Sequence, residues 1–315
     1  MSKPRFTFIV NPQAGRGNAQ KQLPLLQNLL AQSDLDWQIL LTEAPEHATE
    51  IARGIRGENE VVVAVGGDGT SHEVAAGLIR SQTILSVLPI GSGNDFARLL
   101  GFSTSMEENF KTMILGAVYN LDVGDYTIRE SSNETRHGIF INSLGLGIDA
   151  VISYNSRSIS SLRGVPLYLV ATLKTLFQFK PIQLSYDFGA GVISSKVFLI
   201  CVGNGPCEGG GFKLTPNARP NDGRFEICII EAMPIQNAIV LIPRILTGRH
   251  RGFNGVKMVD STSVRIESKE PFYIHCDGEV ATTKGLEVNI SIHSKALRVL
   301  AASGKILTGA SQLPS

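Results

Sequence analysis

The sequence has few cysteines and few charged residues, and each shortage excludes a class of protein. Its 315 residues include only four cysteines, with no CxxC pair and no Cys/His spacing typical of zinc. Free buried thiols are therefore favoured over a disulfide framework. Charged residues make up 18%, and 29 Lys and Arg against 28 Asp and Glu leave a net charge of +1. That balance argues against a protein that binds nucleic acid through a broad basic surface.

Long apolar segments are also missing. No stretch reaches the roughly 18 uninterrupted apolar residues that a membrane-spanning helix needs. The apolar run Phe6–Val10 stops at Asn11 and Pro12, which is too short for a signal peptide. The sequence therefore predicts a cytoplasmic protein without a transmembrane segment, whose contact with a membrane is peripheral and at the inner face.

Glycine, by contrast, is abundant, with 32 residues and no G-X-Y period, so a collagen-like chain is excluded. The first third of the chain alternates apolar strands with helical stretches, which predicts parallel strands joined by crossovers. The capping-box pattern Ser105–Glu108 predicts a helix running to about Val118. Strands are predicted at Arg5–Val10, Trp37–Thr42, Glu60–Val65 and Thr83–Ile90, with helices between them.

From about Leu121 the pattern becomes mostly antiparallel β-structure, with short strands separated by turns. The strands Ser263–Glu267 and Pro271–Cys276 are predicted separately. Helical segments interrupt this part near Asp149–Ser160, Val165–Phe179 and Ile235–Thr247. The fold class predicted from the sequence is α/β followed by all-β.

The strongest chemical signal is the segment Gly66-Gly67-Asp68-Gly69-Thr70, directly after a buried strand and directly before a helix. Glycines let the backbone present its N–H groups, and the helix N-terminus adds partial positive charge, as phosphate binding requires. The alternative is a tight strand-to-helix turn. A carboxylate beside phosphates is repulsive, so Asp68 indicates a magnesium ion or its bound waters.

Two further loops follow predicted strands. Gly91–Asp95 contains two glycines and the polar residues Ser92, Asn94 and Asp95, whose alternative role is helix N-capping. Asn11–Gly17 follows the first strand, and its alternative is an ordinary Pro/Gly turn. Because the carboxyl ends of parallel strands converge on one crevice, the three loops together predict a nucleotide site.

Three other patterns leave alternatives open. The segment Gly145–Ala150 fits the dinucleotide fingerprint GxGxx[GA], but it lies in the β-rich part and no acidic residue follows at the required spacing. In the segment His275–Glu279, Asp277 or Glu279 is either a general base or a solvent-facing residue of a type I′ hairpin. The segment Asn221-Asp222-Gly223 is an ordinary hairpin turn on its own.

Taken in order, these motifs resemble the diacylglycerol kinase catalytic-domain family, and in particular the bacterial lipid kinases of the YegS/DgkB/BmrU type. The resemblance implies a doubly wound α/β nucleotide-binding domain over residues 1–122 and about 298–315. It implies an antiparallel β-sandwich domain over residues 123–297. The motifs that carry it are VNPQAG from Val10, GGDGT from Gly66 through Glu73 and Val74, PIGSGNDFA from Pro89, NDG from Asn221 and CDGE from Cys276.

The resemblance also implies site residues. Glu279 takes the place of the family's general base, and magnesium is expected at Asp222 with the backbone carbonyls of Arg219 and Arg224. Ser92 stands where many relatives have Thr, and the hydroxyl survives. ATP contacts are expected at Asn11, Pro12, Gly15, Arg16, Thr42, Gly66, Gly67, Asp68, Gly69, Thr70 and Ser92, in loops that also hold Asn94 and Asp95.

The implied activity is transfer of the γ-phosphoryl of Mg-ATP to a hydroxyl of a lipid such as diacylglycerol or phosphatidylglycerol, at a membrane surface. Alternatives are a kinase with a soluble acceptor such as NAD, and a non-catalytic nucleotide or lipid sensor. Two apolar segments, Leu169–Phe177 and Pro234–Leu246, are either packed helices or a lipid-facing surface. Homodimer formation is left open.

Overall fold

The chain passes through the first of its two structural units twice. Met1–Leu121 and Lys295–Ser315 form this α/β unit, and Asp122–Ser294 form a second, β-rich unit. The computed structural model describes residues 3–156 and 164–304. The part of the expected C-terminal return beyond residue 304 lies outside the described residues.

The α/β unit begins with four strand–helix repeats. Its elements are β1 (Arg5–Val10), α1 (Ala14–Ala31), β2 (Asp36–Leu41), α2 (His47–Gly54), β3 (Glu60–Gly66), α3 (Asp68–Leu78), β4 (Ile84–Pro89), α4 (Asp95–Leu99) and α5 (Met106–Ile114). The strands pair in parallel in the order β2-β1-β3-β4. Beyond β4, Val299 near the end of β13 (Glu279–Ala301) pairs with Leu85, also in parallel. The central strand β3 is buried from Val61 to Gly66, which is why its sequence is continuously apolar.

The helix predicted from Ser105 starts as expected, but it is shorter. The hydroxyl of Ser105 accepts a 3.3 Å hydrogen bond from the N–H of Glu108 and so caps α5. The expected end at Val118 is wrong, because α5 ends at Ile114 and β5 (Ala117–Glu130) begins three residues later. Ala117 and Val118 belong instead to β5, a strand that pairs with β13.

The second unit is dominated by antiparallel strands, in agreement with the predicted fold class. Its further elements are β6 (Thr135–Phe140), β7 (Ser143–Gly147), α6 (Ile148–Ser156), α7 (Gly164–Leu176), β8 (Ile182–Asp187), β9 (Ile193–Gly203), β10 (Phe225–Glu231), α8 (Ile235–Thr247), β11 (Val256–Ser261) and β12 (Ser263–Cys276). Neighbouring strands follow the order β11-β10-β9-β7-β12-β13, with β8 paired to both β9 and β12.

Two apolar cores lie on opposite faces of β9 and β10. Alternate residues of β9, Ile200 and Val202, face a core made largely by strands, whereas Leu199 and Cys201 face a core shared with α6, α7 and α8. The three helices therefore form a layer on one side of these strands. All four cysteines lie in described residues and are free thiols, three of them buried, as the sequence predicts.

Two details of this unit differ from the expectations. The two strands predicted between Ser263 and Cys276 form the single strand β12, with register shifts near Phe272. The edge strand β11 is not predicted at all, because its sequence is half exposed and weakly patterned. The predicted extension of α6 from residue 157 to Ser160 lies outside the described residues.

Candidate active site

Three loops of the α/β unit follow neighbouring parallel strands. We call Asn11–Gly17 after β1 the first loop, Gly66–Thr70 after β3 the second loop, and Gly91–Asp95 after β4 the third loop. In the order β2-β1-β3-β4, connections leave β1 and β3 in opposite directions across the sheet. Ligands of open α/β sheets bind at such a switch point, outside the carboxyl ends of the strands.

The first loop is tied to the second by hydrogen bonds. The backbone N–H of Asn11 donates to the carbonyl of Val65 at 3.0 Å, and its side-chain amide donates to the hydroxyl of Thr70 at 3.3 Å. Its side-chain oxygen accepts the N–H of Gln13, which closes the turn around Pro12. Asn11 therefore fixes the two loops side by side.

The middle of the first loop has a left-handed backbone. Gly15, Arg16 and Gly17 have φ angles of 60°, 60° and 79°, so the first turn of α1 is interrupted. A Cβ on Gly15 would lie 2.2 Å from the carbonyl oxygen of Ile90. Glycine at position 15 is thus required both by the backbone conformation and by the approach of the segment that precedes the third loop.

The second and third loops are in direct contact. The N–H of Ile90 donates to the carbonyl of Gly66 at 2.7 Å, and Gly67 and Gly91 face each other without side chains between them. The carboxylate of Asp68, in the first turn of α3, accepts the N–H of Phe96 in α4 at 3.2 Å. Asp68 therefore connects the starts of two helices.

The third loop is closed by its own polar residues. Asn94 has φ of 54°, and its side chain both accepts the N–H and donates to the carbonyl of Gly91. The buried carboxylate of Asp95 pairs with Arg98. Ser92 is only partly buried, as is Thr42, whose N–H donates to Val10 directly after β2. The structure brings the three loops together, while Gly69 lies within the first turn of α3.

The expected metal residues lie in the second unit, at the turn before β10. Arg219, Asp222 and Arg224 line one cavity of about 410 Å³. Sequence reasoning missed the residue that holds this turn. Asp122 is 1% exposed; its carboxylate accepts the N–H of Gly223 at 2.7 Å and its own N–H donates to the carbonyl of Pro220.

The turn that carries the two base candidates joins β12 to β13. Asp277 and Gly278 have φ of 50° and 84°, which is a type I′ turn, and Glu279 pairs with Cys276 across it. The carboxylate of Asp277 is buried and accepts the N–H groups of Ile141, Asn142 and Ser143 at 2.8–3.0 Å. Glu279 is exposed. One carboxylate anchors the turn from inside, and the other faces outward.

A buried cluster stands beside this turn that the sequence does not reveal. Asp149, Glu208 and His275 bring one donor atom each within 4.8 Å of one another, a set of ligand types that zinc accepts. Burial disfavours the imidazolium form of His275 and so lowers its pKa. The charge of Asp149 and its hydrogen bond to His275 outweigh burial, and the pKa of His275 is raised to about 9. Burial and then the charge of Asp149 raise the pKa of Glu208 well above its ordinary value.

Both carboxylates of this cluster come from glycine-rich segments. Asp149 follows Gly145 and Gly147, the pair that mimics a dinucleotide fingerprint, and here β7 is antiparallel to both of its neighbours. Glu208 lies in the segment from Gly203 to Gly211. In both segments, an acidic residue within a glycine-rich stretch could have marked a candidate site residue. The sequence does not indicate, however, that the two segments meet at His275.

A parallel sheet with glycine loops at its switch point, followed by an antiparallel unit, defines a class of nucleotide-dependent kinases, and comparisons with known proteins agree. Residues 5–126 match the family model of the diacylglycerol kinase catalytic domain. Residues 142–301 match that of the YegS C-terminal NAD kinase beta sandwich-like domain.

The relatives cover nearly the whole chain. A Bacillus subtilis (strain 168) protein named "Putative lipid kinase YtlR" is 30% identical over 293 residues, which cover 88% of this chain and 93% of that protein. A diacylglycerol kinase of the same organism is 26% identical over 283 residues, 87% and 89% of the two chains. The solved structure of a diacylglycerol kinase from Bacillus anthracis str. Sterne aligns with a TM-score of 0.69 at 21% identity, over 98% of this chain and 100% of that one.

The chain belongs to the diacylglycerol kinase catalytic-domain family and is a lipid kinase. The resemblance drawn from the motifs is thereby confirmed. Membership also implies the use of ATP. Within the described residues, none of the helices has the length and apolarity to span a bilayer.

Proposed function

We propose that this chain transfers the γ-phosphoryl group of ATP to the hydroxyl of a membrane lipid, diacylglycerol or a similar glycerolipid, with Glu279 as general base. The observation that carries the proposal is the different environment of the two carboxylates at the type I′ turn. Asp277 is committed to three backbone donors, whereas Glu279 is exposed beside it. Only the second carboxylate is accessible to a substrate hydroxyl.

The donor nucleotide has a fitting site in the three loops of the α/β unit. The 11-residue helix α3 begins at Asp68, with the partly exposed Gly67 and Gly69 on either side, and the N–H groups of such a helix start attract phosphate oxygens. Arg16, held in a left-handed conformation by the first loop, supplies a positive charge at the same edge of the sheet. We assign the phosphates to Asn11–Arg16 and to the second loop, with Thr42 and Ser92 as further contacts.

Magnesium fits the Asp-Gly turn before β10. The exposed carboxylate of Asp222 and the backbone carbonyls of Arg219 and Arg224 are oxygen donors, which this hard cation prefers. When bound, the ion would supply positive charge to a phosphoryl group. The role of Asp122 is to hold the turn, since its buried carboxylate binds the N–H of Gly223.

The reaction requires little covalent work from the protein. As the lipid oxygen bonds to the γ-phosphorus, the bond to the β-phosphate oxygen breaks and ADP leaves, through a loose transition state. Glu279 takes the hydroxyl proton, a role typically worth about 10²–10⁴-fold in rate. The loops orient the phosphates, and Asp277 keeps the turn rigid.

The lipid surface is assigned to the outer faces of α7 and α8. Both helices pack on the same core, and neither contains Asp or Glu. Their charged residues are Lys174 and Arg244. Five large apolar side chains on or next to them are exposed, namely Val170, Leu173, Phe177, Ile239 and Val240. They lie beside exposed polar residues that include Gln178, Gln236 and Asn237. Exposed apolar side chains among positive charges suit a peripheral contact with anionic lipid.

The decisive experiment compares Glu279→Gln with the wild type on a panel of lipids and NAD, with Mg-ATP and detection of products by mass spectrometry. We expect wild-type phosphorylation of a lipid and a loss of about 10²-fold or more in kcat for the variant. Glu267→Gln, another exposed carboxylate of the same unit, is the control and should retain activity. Phosphorylation of NAD alone, or full activity of Glu279→Gln, would refute the proposal.

A further inference from the structure

Helix α6 contacts the strand end and turn that precede Glu279 at three places. The carboxylate of Asp149 lies 2.7 Å from Nε2 of His275, and the hydroxyl of Ser153 donates to the carbonyl of Gly278 at 2.6 Å. The ring of Tyr154 packs edge-on against that of Tyr273, 5.8 Å between centroids. Asp149 and Ser153 are four residues apart, so one face of α6 makes both polar contacts.

The pair of Asp149 and His275 is buried against the neighbouring strand β7. The His275 side chain is 3% exposed and that of Asp149 15%. A Cβ on Gly145 would lie 2.0 Å from the Asp149 carboxylate and 2.2 Å from Nε2 of His275. The pair thus occupies the space that a side chain at position 145 would fill, so this contact requires a glycine there.

Glu208 completes the cluster from the other side. Its Oε2 lies 3.8 Å from Nε2 of His275 and accepts a hydrogen bond from the thiol of Cys201. The Asp149–His275 distance of 2.7 Å is a hydrogen bond. Two ligands on one tetrahedral zinc would stand about 3.3 Å apart. A direct hydrogen bond therefore describes this contact better than a metal bridge.

We propose that Asp149, Ser153 and His275 are positioning residues that hold the turn in the place where Glu279 can act as base. The proposal rests on the proposed function. Asp149 binds His275 in the strand before the turn, and Ser153 binds Gly278 in the turn itself, so the segment from 275 to 278 is held at both ends. Displacing a catalytic group by about 1 Å can cost about 100-fold in rate, which gives these contacts their functional weight.

The test is a set of double-mutant cycles. Asp149→Asn, Ser153→Ala and His275→Gln are each made in the wild type and in Glu279→Gln, and kcat, KM for ATP and the thermal midpoint are measured. We expect each single variant to lower kcat, by about 10-fold or more for the charged pair, with KM for ATP unchanged. In the Glu279→Gln background the same substitutions should cost nothing further, because they act through the base.

His250→Gln is the matched control. His250 is also fully buried in the second unit, and its ring contacts the carbonyl of Leu214. We expect it to lower the thermal midpoint and to leave kcat unchanged. Ser153→Ala removes one hydrogen bond without disturbing buried charge, so it serves if the charged variants do not fold.

Several outcomes would overturn the inference. Equal losses in both backgrounds would give the three residues a purely structural role. A stoichiometric zinc ion that is lost in His275→Gln would replace the hydrogen bond with a metal site. If Glu279→Gln alone is inactive and the three variants match the wild type, only the positioning role fails. If Glu279→Gln is fully active, the proposed base itself is wrong.

Discussion

Gly91 lies directly against Gly67, so that a Cβ added to Gly91 would stand 2.6 Å from the Cα of Gly67. The two glycines belong to the third and second loops, which follow adjacent strands of the parallel sheet. Their contact sets the distance between those loops. The phosphate-binding geometry that we propose for the α/β unit depends on it.

Gly91→Ala should therefore damage nucleotide binding. Overpacking typically costs about 1–3 kcal/mol, and here the clash is with backbone that cannot rotate away. We expect ATP affinity to fall about tenfold or more, measured by isothermal titration calorimetry, together with a lower free energy of unfolding in urea. Gly54→Ala, at the end of α2 where a Cβ meets open space, is the control and should leave ATP affinity unchanged. Normal ATP binding by Gly91→Ala would contradict the assignment of these loops.

Asp222→Asn should reduce the response of the protein to magnesium. The substitution removes the negative charge at the Asp-Gly turn but keeps the side-chain oxygen that accepts the N–H of Arg224. We expect Mg²⁺ to raise the thermal midpoint of the wild type and to raise that of the variant much less. Asp260→Asn, whose carboxylate lines the same cavity, should respond like the wild type. An unchanged response of Asp222→Asn would place the ion elsewhere.

The stability of the protein should fall as the pH rises through the range in which His275 titrates. Its pKa is about 9 in the folded protein against about 6.5 when unfolded, so its stabilising effect is complete below pH 6.5 and lost by about pH 9. The full effect is about 3 kcal/mol. Urea unfolding at pH 6.5 and pH 8 should detect about half of this effect.

His275→Gln should weaken this dependence, because one titrating group is gone. Burial and Asp149 also raise the pKa of Glu208, so this carboxyl gives a dependence of the same sign that remains in the variant. The buried thiols of Cys201, Cys228 and Cys276 also have pKa values raised by burial. Their contribution is lost only above about pH 8.5, where thiols ionise in the unfolded chain, so the chosen range avoids them. The same slope in both proteins would show that His275 is not a titrating group.

Val240→Gln should weaken binding to anionic vesicles. The side chain is 52% exposed on α8, where it would enter the lipid interface. We expect less protein to float with phosphatidylglycerol vesicles, while activity on detergent-dispersed substrate stays near that of the wild type. Val192→Gln, 70% exposed in the turn between β8 and β9, is the matched control. Equal flotation of Val240→Gln and the wild type would contradict a membrane contact through α8.

The sequence by itself determined the fold class and the family. Glycine loops after apolar strands require particular backbone conformations whatever surrounds them. Gly66–Thr70 and Gly91–Asp95 can therefore be predicted from the local sequence. The end of α5 could not be predicted from the local sequence, because pairing between β5 and β13 overrides the helical pattern after Ile114. Local patterns report local conformation, and this boundary is decided by a distant strand.

Only the tertiary structure decided which carboxylates belong together. Asp277 and Glu279 are two residues apart and equivalent in the sequence, yet three backbone N–H groups about 135 positions earlier bind the first and leave the second exposed. His275 meets Asp149 across 126 residues. Burial and charge pairing arise from packing between segments distant in the chain, and these decide the role of each acidic group.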